Sequence, residues 1–100
     1  MNKIKKYVHD IADELEGAKE YMEKALEYKA AGNSDRYNGY KDMSIAELGH
    51  ASRLHQYAVQ DIDQLQTAYP DIPTEMQDKW DRAHAEYVEK AAWIKQMQSM

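Results

Sequence analysis

The sequence predicts an all-α protein, a three-helix antiparallel bundle in which residues 1–100 form one domain. Helix-breaking residues cluster in two short segments, residues 30–35 and 69–74, and the long stretches around them favour helix. Apolar residues recur at three- and four-residue spacing, and no alternating pattern is long enough to indicate a strand. A chain of 100 residues has room for one hydrophobic core.

The residues at the two breaks predict where the helices begin and end. Gly32 fits a left-handed helix C-cap, and Asn33 or Ser34 fits the N-cap of the helix that follows. Pro73 and residues 74–77, which match a capping box, mark the start of the third helix. The tight link at Gly32 makes the first two helices antiparallel neighbours. The predicted helices span residues 2–31, 34–68 and 74–98.

The composition narrows the classes of partner and ligand. With 13 basic and 18 acidic residues the net charge is −5, and the scattered cations form no face for a phosphate backbone, so nucleic acid is not an expected partner. No stretch reaches the roughly 20 apolar residues of a membrane span, and no apolar signal segment opens the chain, so we expect a cytoplasmic protein. Because the chain has no cysteine, a metal would be held by carboxylates and histidines, a set that suits iron, manganese or zinc.

Helical spacing places three polar side chains among apolar ones. Glu14 interrupts an apolar seam on the first helix, and Glu47 and His50 share the inward seam of the second. The third helix has a seam without charge, so we expect it to act as a cover. The seams comprise Ile4, Tyr7, Ile11, Glu14, Ala18, Tyr21, Ala25 and Tyr28; Tyr40, Met43, Glu47, His50, Leu54 and Tyr57, with Leu48, Ala51, Ala58, Ile62 and Leu65 as an adjoining row; and Met76, Trp80, Ala83, Tyr87, Ala91, Ile94 and Met97.

A carboxylate in an apolar seam needs a partner, because burying it unpaired costs several kcal/mol. Glu47 and His50 stand three residues apart on one helical face, within reach of a single metal ion, and Glu14 from the facing helix can complete the set. Gly17 and Gly49 each cost about 1 kcal/mol of helix propensity relative to alanine, and they would let the backbones approach beside such a site. Two simpler interpretations stay open, in which the glutamate reaches solvent at the edge of a thin bundle or pairs with a lysine.

The other titratable residues are interpreted as surface or structural groups. We expect His9 to be exposed, His55 to be partly buried in a structural role, and Asp81 with His84 to be surface charge. Four glutamates recur on the opposite face of the first helix, where lysines can pair with them, and they indicate a solvated face. These are Glu16, Glu20, Glu23 and Glu27.

Two segments resemble the ferritin-like and rubrerythrin-like di-iron proteins. Residues 14–21 resemble the first-helix signature of that superfamily, in which a Glu is followed seven residues later by a Tyr, and Glu47-Leu48-Gly49-His50 resembles its second-helix Glu-x-x-His. The resemblance covers about the first two-thirds of the chain and implies a ferritin-like helical hairpin. It also implies that Glu14 is a terminal iron ligand, Glu47 a bridging carboxylate, His50 the nitrogen ligand and Tyr21 a hydrogen-bond donor to the ligands.

The chain departs from the resembled pattern in having one hairpin where a standard member has two. The resemblance to half-ferritins associated with encapsulin shells implies that two copies can complete the site, and short ferritin-like chains of this shape also occur in phage genomes. The expectation is then a homodimer or larger homo-oligomer with a four-helix core that binds a di-iron centre and oxidises Fe(II). A hairpin folded symmetrically about Gly32 and Asn33 puts His50 close to the level of Glu16 and Glu47 close to the level of Glu20, so these two glutamates stay candidates beside Glu14, which lies roughly 5 Å off level but on the right face.

Two alternatives without metal chemistry also fit the sequence. One is a helical interaction protein that keeps the hairpin as a scaffold and binds a partner protein through an acidic, Tyr-rich or Met-rich surface. The other is a purely structural homo-oligomer.

Overall fold

The computed structural model describes residues 2–100, without the side chain of Asn2, as three α-helices and no strand. Helix α1 is Asn2–Ala30, α2 is Ser34–Ala68 and α3 is Thr74–Gln98. The all-α prediction is confirmed, and each end lies within one residue of the predicted one. None of the helices in this described part is long and apolar enough to cross a membrane.

The three helices form an elongated bundle of 55 × 18 × 17 Å. Helices α1 and α2 run antiparallel, as shown by the contact of Tyr7 near the start of α1 with Asp61 near the end of α2. Helix α3 turns back again, since the side chain of Gln98 reaches Ser44 and Lys29 donates to the carbonyl of Met100, at the same end as the α1–α2 turn. The helical bundle is therefore observed as expected.

Local chemistry sets the turn between α1 and α2. Gly32 adopts a φ of 76°, the left-handed conformation that closes a helix without a steric penalty only for glycine. Oδ1 of Asn33 then accepts a hydrogen bond of 3.1 Å from the backbone N–H of Arg36. Of the two predicted caps, Asn33 is the one that the structure uses.

The capping box predicted at the start of α3 is wrong. Pro73 occupies the N-cap position and makes no side-chain cap bond, and its carbonyl accepts the N–H groups of Met76 and Gln77. The side chain of Gln77 is engaged elsewhere: its Oε1 accepts from Gln66 of α2 at 2.8 Å, and its Nε2 donates to Asp81 at 2.9 Å. The side chain of Gln77, which a capping box would need, is thus used in a contact between helices.

The buried core coincides only in part with the predicted seams. On α1 four seam residues, Ile4, Ile11, Ala18 and Ala25, are buried, while the tyrosines of the seam are half-buried. The sequence pattern missed Leu15 and Met22, which are buried. On α2 the core is the row that was expected only to adjoin the seam, and on α3 the apolar seam is buried or half-buried as predicted. The α2 and α3 core residues are Leu48, Ala51, Ala58, Ile62, Trp80, Ala91, Ile94 and Met97.

Ser44 is a fully buried polar residue that joins all three helices. Its Oγ donates to the carbonyl of Ala18 on α1 at 2.7 Å and accepts from Nε2 of Gln98 on α3 at 3.0 Å. Both partners satisfy the hydroxyl, so its burial carries no unpaired-group penalty.

We expect Ser44→Ala to lower the free energy of unfolding by about 1 kcal/mol relative to Ser52→Ala. Both changes gain the same helix propensity, but only the first removes hydrogen bonds between helices. Urea unfolding followed by circular dichroism measures the difference. Equal stability of the two variants would contradict the role of the hydroxyl.

A second polar link ties the start of α1 to the end of α2. The hydroxyl of Tyr7 donates to Oδ2 of Asp61 at 2.6 Å, and Nζ of Lys3 lies 2.9 Å from the same oxygen. The hydrogen bond from Tyr7, followed by that from Lys3, lowers the pKa of Asp61, and the same bond to Asp61 chiefly raises the pKa of Tyr7 to about 12.

Acid should therefore weaken the fold through Asp61. Its pKa is lower in the folded chain than in the unfolded one, so its contribution is present above the unfolded pKa of about 4 and is lost as the pH falls through the folded pKa. We expect the melting temperature of the wild type to fall more between pH 5 and pH 3, measured by circular dichroism, than that of Tyr7→Phe. Tyr69→Phe, which changes an exposed tyrosine, should follow the wild type.

Candidate metal centre

Glu14, Glu47 and His50 come together on one side of the α1–α2 pair. Nδ1 of His50 lies 3.6 Å from Oε2 of Glu14 and 3.9 Å from Oε1 of Glu47. One ligand atom from each of the three residues lies within 4.8 Å of the other two. The spacing is that of side chains able to share one ion, drawn from two facing helices.

The face of α1 on which a glutamate lies decides whether it joins the cluster, more than its height along the helix axis does. Residues 14 and 16 point about 200° apart around a helix of 3.6 residues per turn. Glu16 and Glu20 are exposed on another face, whereas Glu14 is partly buried beside His50. Glu14 is thus the α1 glutamate that the structure brings to the other two.

The cluster is open to solvent on one side. The side chains of Glu14 and Glu47 are each 29% exposed, and that of His50 is 62% exposed. The expectation that His50 faces inward is therefore wrong. The reason is that α3 packs over the other row of the hairpin, where Leu48 and Ala51 are buried, and leaves the row of Glu47 and His50 at the open edge.

Crowding of the two carboxyl groups sets the electrostatics of the cluster. The hydrogen bond with Glu14 is the largest cause that raises the pKa of Glu47, followed by partial burial and the negative charge of Glu14, while the charge of His50 acts in the opposite direction. Like charges this close repel each other. A cation placed between the carboxylates would relieve that repulsion.

Gly17 makes room for the carboxylate of Glu47. A Cβ atom at position 17 would lie 3.2 Å from Oε2 of Glu47, closer than most real contacts of this kind. A Cβ at Gly49 would meet nothing within 4 Å. The predicted role of a glycine in close approach beside the site thus fits Gly17, and the structure gives no such reason for Gly49.

Tyr21 lies along α1 from the cluster, with its ring packed against Tyr40 at a centroid distance of 6.2 Å. Within residues 2–100 the structure shows no hydrogen bond from its hydroxyl to the three clustered side chains. The ligand-supporting role that the resemblance implies for Tyr21 stays a prediction.

The other histidines and acidic residues fall largely where expected. His9 is exposed and pairs with Asp13 at 3.2 Å, and His55 is partly buried, which lowers its pKa. His84 is exposed as predicted, but the sequence did not reveal that its ring meets that of His55. The predicted solvated face of α1 is also observed, since all four of its glutamates are exposed.

The cluster sits in the middle of a face that we call the open face. It consists of the α1 and α2 side chains on the side away from α3, and grooves at both ends bring its members together across the helix pair. Met43 is 42% exposed and Tyr57 is 44% exposed, although both belong to the apolar seam. The open face comprises Tyr7, Glu14, Tyr21, Tyr28, Tyr40, Met43, Glu47, His50, Leu54 and Tyr57.

Comparison with known proteins adds no identification. No family model, no curated protein and no solved structure matches the chain. The resemblance to ferritin-like proteins therefore stays a prediction from the two sequence segments.

The two glycines allow a matched test of the crowding around Glu47. Gly49→Ala should raise the free energy of unfolding of the metal-free protein by up to about 1 kcal/mol through helix propensity. Gly17→Ala should raise it by clearly less, because the new methyl group displaces the carboxylate of Glu47. Urea titration measures both variants, and an equal gain at the two positions would argue against a constrained carboxylate.

Proposed function

We propose that the protein binds a pair of metal ions, with iron as the leading candidate, in a site of carboxylates and histidines that two copies of the chain complete. The observation that carries the proposal is the convergence of Glu14, Glu47 and His50, whose ligand atoms lie within 4.8 Å of one another. Two carboxylates and one imidazole form a donor set that suits Fe(II), Mn(II) or Zn(II). The residues present therefore fit the metal that the resemblance implies.

The site needs a second copy because one chain supplies only three ligands. In four-helix di-iron proteins, four carboxylates and two histidines from four helices hold the two ions. Two copies related by a two-fold axis beside His50 would bring this number of ligands together. The 62% exposure of the His50 side chain supports the proposal, since this side of the cluster is free to meet a partner.

The open face has the size and character of a dimer interface. Helix α1 is about 43 Å long at 1.5 Å per residue and the bundle is 18 Å wide, so this side of the molecule has room for the roughly 800 Å² that a stable dimer buries per partner. Exposed Met43 and Tyr57 and the half-buried tyrosines supply apolar contacts. Because the cluster lies near the middle of both helices, a two-fold axis perpendicular to them overlaps the two faces along their whole length.

With iron bound, the proposed chemistry is oxidation of Fe(II) by oxygen. Two Fe(II) ions each lose one electron, and O₂ takes up the two electrons and two protons to give two Fe(III) ions and H₂O₂. The residues of the chain would hold and orient the ions, and a bound cation would offset the negative charge of Glu14 that helps to raise the pKa of Glu47.

The test is the iron content of the protein after anaerobic loading with Fe(II) and desalting. We expect about one ion per wild-type chain and a background value for Glu47→Ala/His50→Ala, which removes the ligand pair of α2. The matched control His9→Ala/Glu16→Ala removes an exposed histidine and an exposed glutamate off the open face and should retain the metal. An equal iron content in the wild type and in the ligand variant would contradict the proposal.

Sedimentation separates metal binding from the alternative of a helical interaction protein. The proposal requires a dimer, and Met43→Glu, which puts a charge on the open face, should shift it towards monomer and lower the iron content together. A dimer that forms equally well in Glu47→Gln/His50→Gln and holds no metal would favour the interaction protein, for which the exposed apolar side chains of the open face are also suited.

A further inference from the structure

The imidazole rings of His55 on α2 and His84 on α3 meet outside the cluster described above. Nε2 of His55 and Nδ1 of His84 are 2.8 Å apart, and the ring centroids are 5.0 Å apart with 24° between the planes. The centroids are much further apart than the two nitrogens, so the rings meet edge to edge. In this arrangement the two nitrogens point at each other, and a single hydrogen bond occupies the space between them.

Aromatic neighbours hold one of the two rings in place. The ring of His55 stacks on Tyr87 with a centroid distance of 4.1 Å and 11° between planes, and its centroid lies 5.6 Å from that of Trp80. His84 is exposed, so its ring can move and an ion can reach the pair from solvent. One fixed ligand and one adjustable ligand thus stand on two different helices.

The donor chemistry fits a transition metal better than any other ligand. Imidazole nitrogen binds zinc, copper and nickel. At metal–nitrogen distances of about 2.0–2.1 Å and tetrahedral angles, the two nitrogens would be about 3.3 Å apart, so they must part by roughly 0.5 Å and the exposed ring of His84 must turn until both nitrogens face the ion. The two imidazoles are the protein ligands, and water can fill the remaining positions.

We infer that His55 and His84 form a second metal site, for a divalent ion of the zinc, copper and nickel class, that ties α3 to α2. The site shares no residue with Glu14, Glu47 and His50 and does not depend on the function proposed for them. Its structural consequence follows from its position. Few other side-chain bonds join α3 to α2 in residues 2–100, such as those of Gln77 with Gln66 and of Gln98 with Ser44, so a bound ion stabilises the docking of α3.

Fluorescence of Trp80 can report this site directly. The chain has two tryptophans, Trp80 and Trp93, so Trp93→Phe leaves only the one whose ring centroid lies 6.2 Å from that of His84. In this background, with Glu47→Gln/His50→Gln added to remove the first cluster, NiCl₂ is titrated at pH 7.5. We expect quenching that saturates at about one equivalent, together with a higher melting temperature in NiCl₂ and in ZnCl₂.

His84→Gln is the deciding variant, because it removes a ligand from an exposed position and should still fold, which circular dichroism checks. Its nickel affinity should fall at least tenfold and its metal-dependent rise in melting temperature should vanish. His9→Gln, which changes another exposed histidine with a neighbouring carboxylate, should behave as the parent. If His84→Gln binds nickel as tightly as the parent, or if ZnCl₂ leaves the parent's melting temperature unchanged, the inference is wrong.

Discussion

The packing of α3 against only one side of the α1–α2 pair determines most of what this molecule can do. Two long antiparallel helices present two rows of side chains, and a single third helix can cover one of them. The covered row is built from small and aliphatic residues and from Ser44, whose hydroxyl satisfies groups on α1 and α3. The uncovered row keeps the tyrosines of the open face, Met43 and the Glu14, Glu47 and His50 cluster at the surface, half-buried or exposed.

The cluster is costly to the metal-free chain in two ways. The carboxyl groups of Glu14 and Glu47 are close enough that their hydrogen bond and like charge raise the pKa of Glu47. The space that the Glu47 carboxylate fills exists because residue 17 is a glycine, which weakens α1 by about 1 kcal/mol relative to alanine. A simple edge glutamate that reaches solvent needs neither feature. Both are accounted for if a cation normally lies between the carboxylates.

Sequence reasoning succeeded where the cause is local and failed where it depends on how α3 docks. The Gly32 and Asn33 caps and the helix ends follow from neighbouring residues, and they were predicted within one residue. The meeting of Glu14 with Glu47 and His50 followed from helical periodicity within one hairpin. The pattern could not tell which of two adjoining rows α3 covers, so His50 was placed inward. The pairing of His55 with His84 depends on the register that residues 69–73 impose between α2 and α3, which no periodicity encodes.

In the proposed dimer, the incomplete ligand set and the uncovered face have one cause, the absence of a further helix layer over the α1–α2 pair, and a second copy would supply that layer. A ligand set split between two chains has a thermodynamic signature that a set within one chain lacks. If metal binds the dimer more tightly than the monomer, then thermodynamic linkage requires that bound metal raise the association constant of the dimer by the corresponding factor. The apparent affinity for metal then rises with protein concentration until the chain is fully dimeric. A site complete within one chain would show a constant affinity, so this dependence distinguishes a split site from three surface residues that happen to be close.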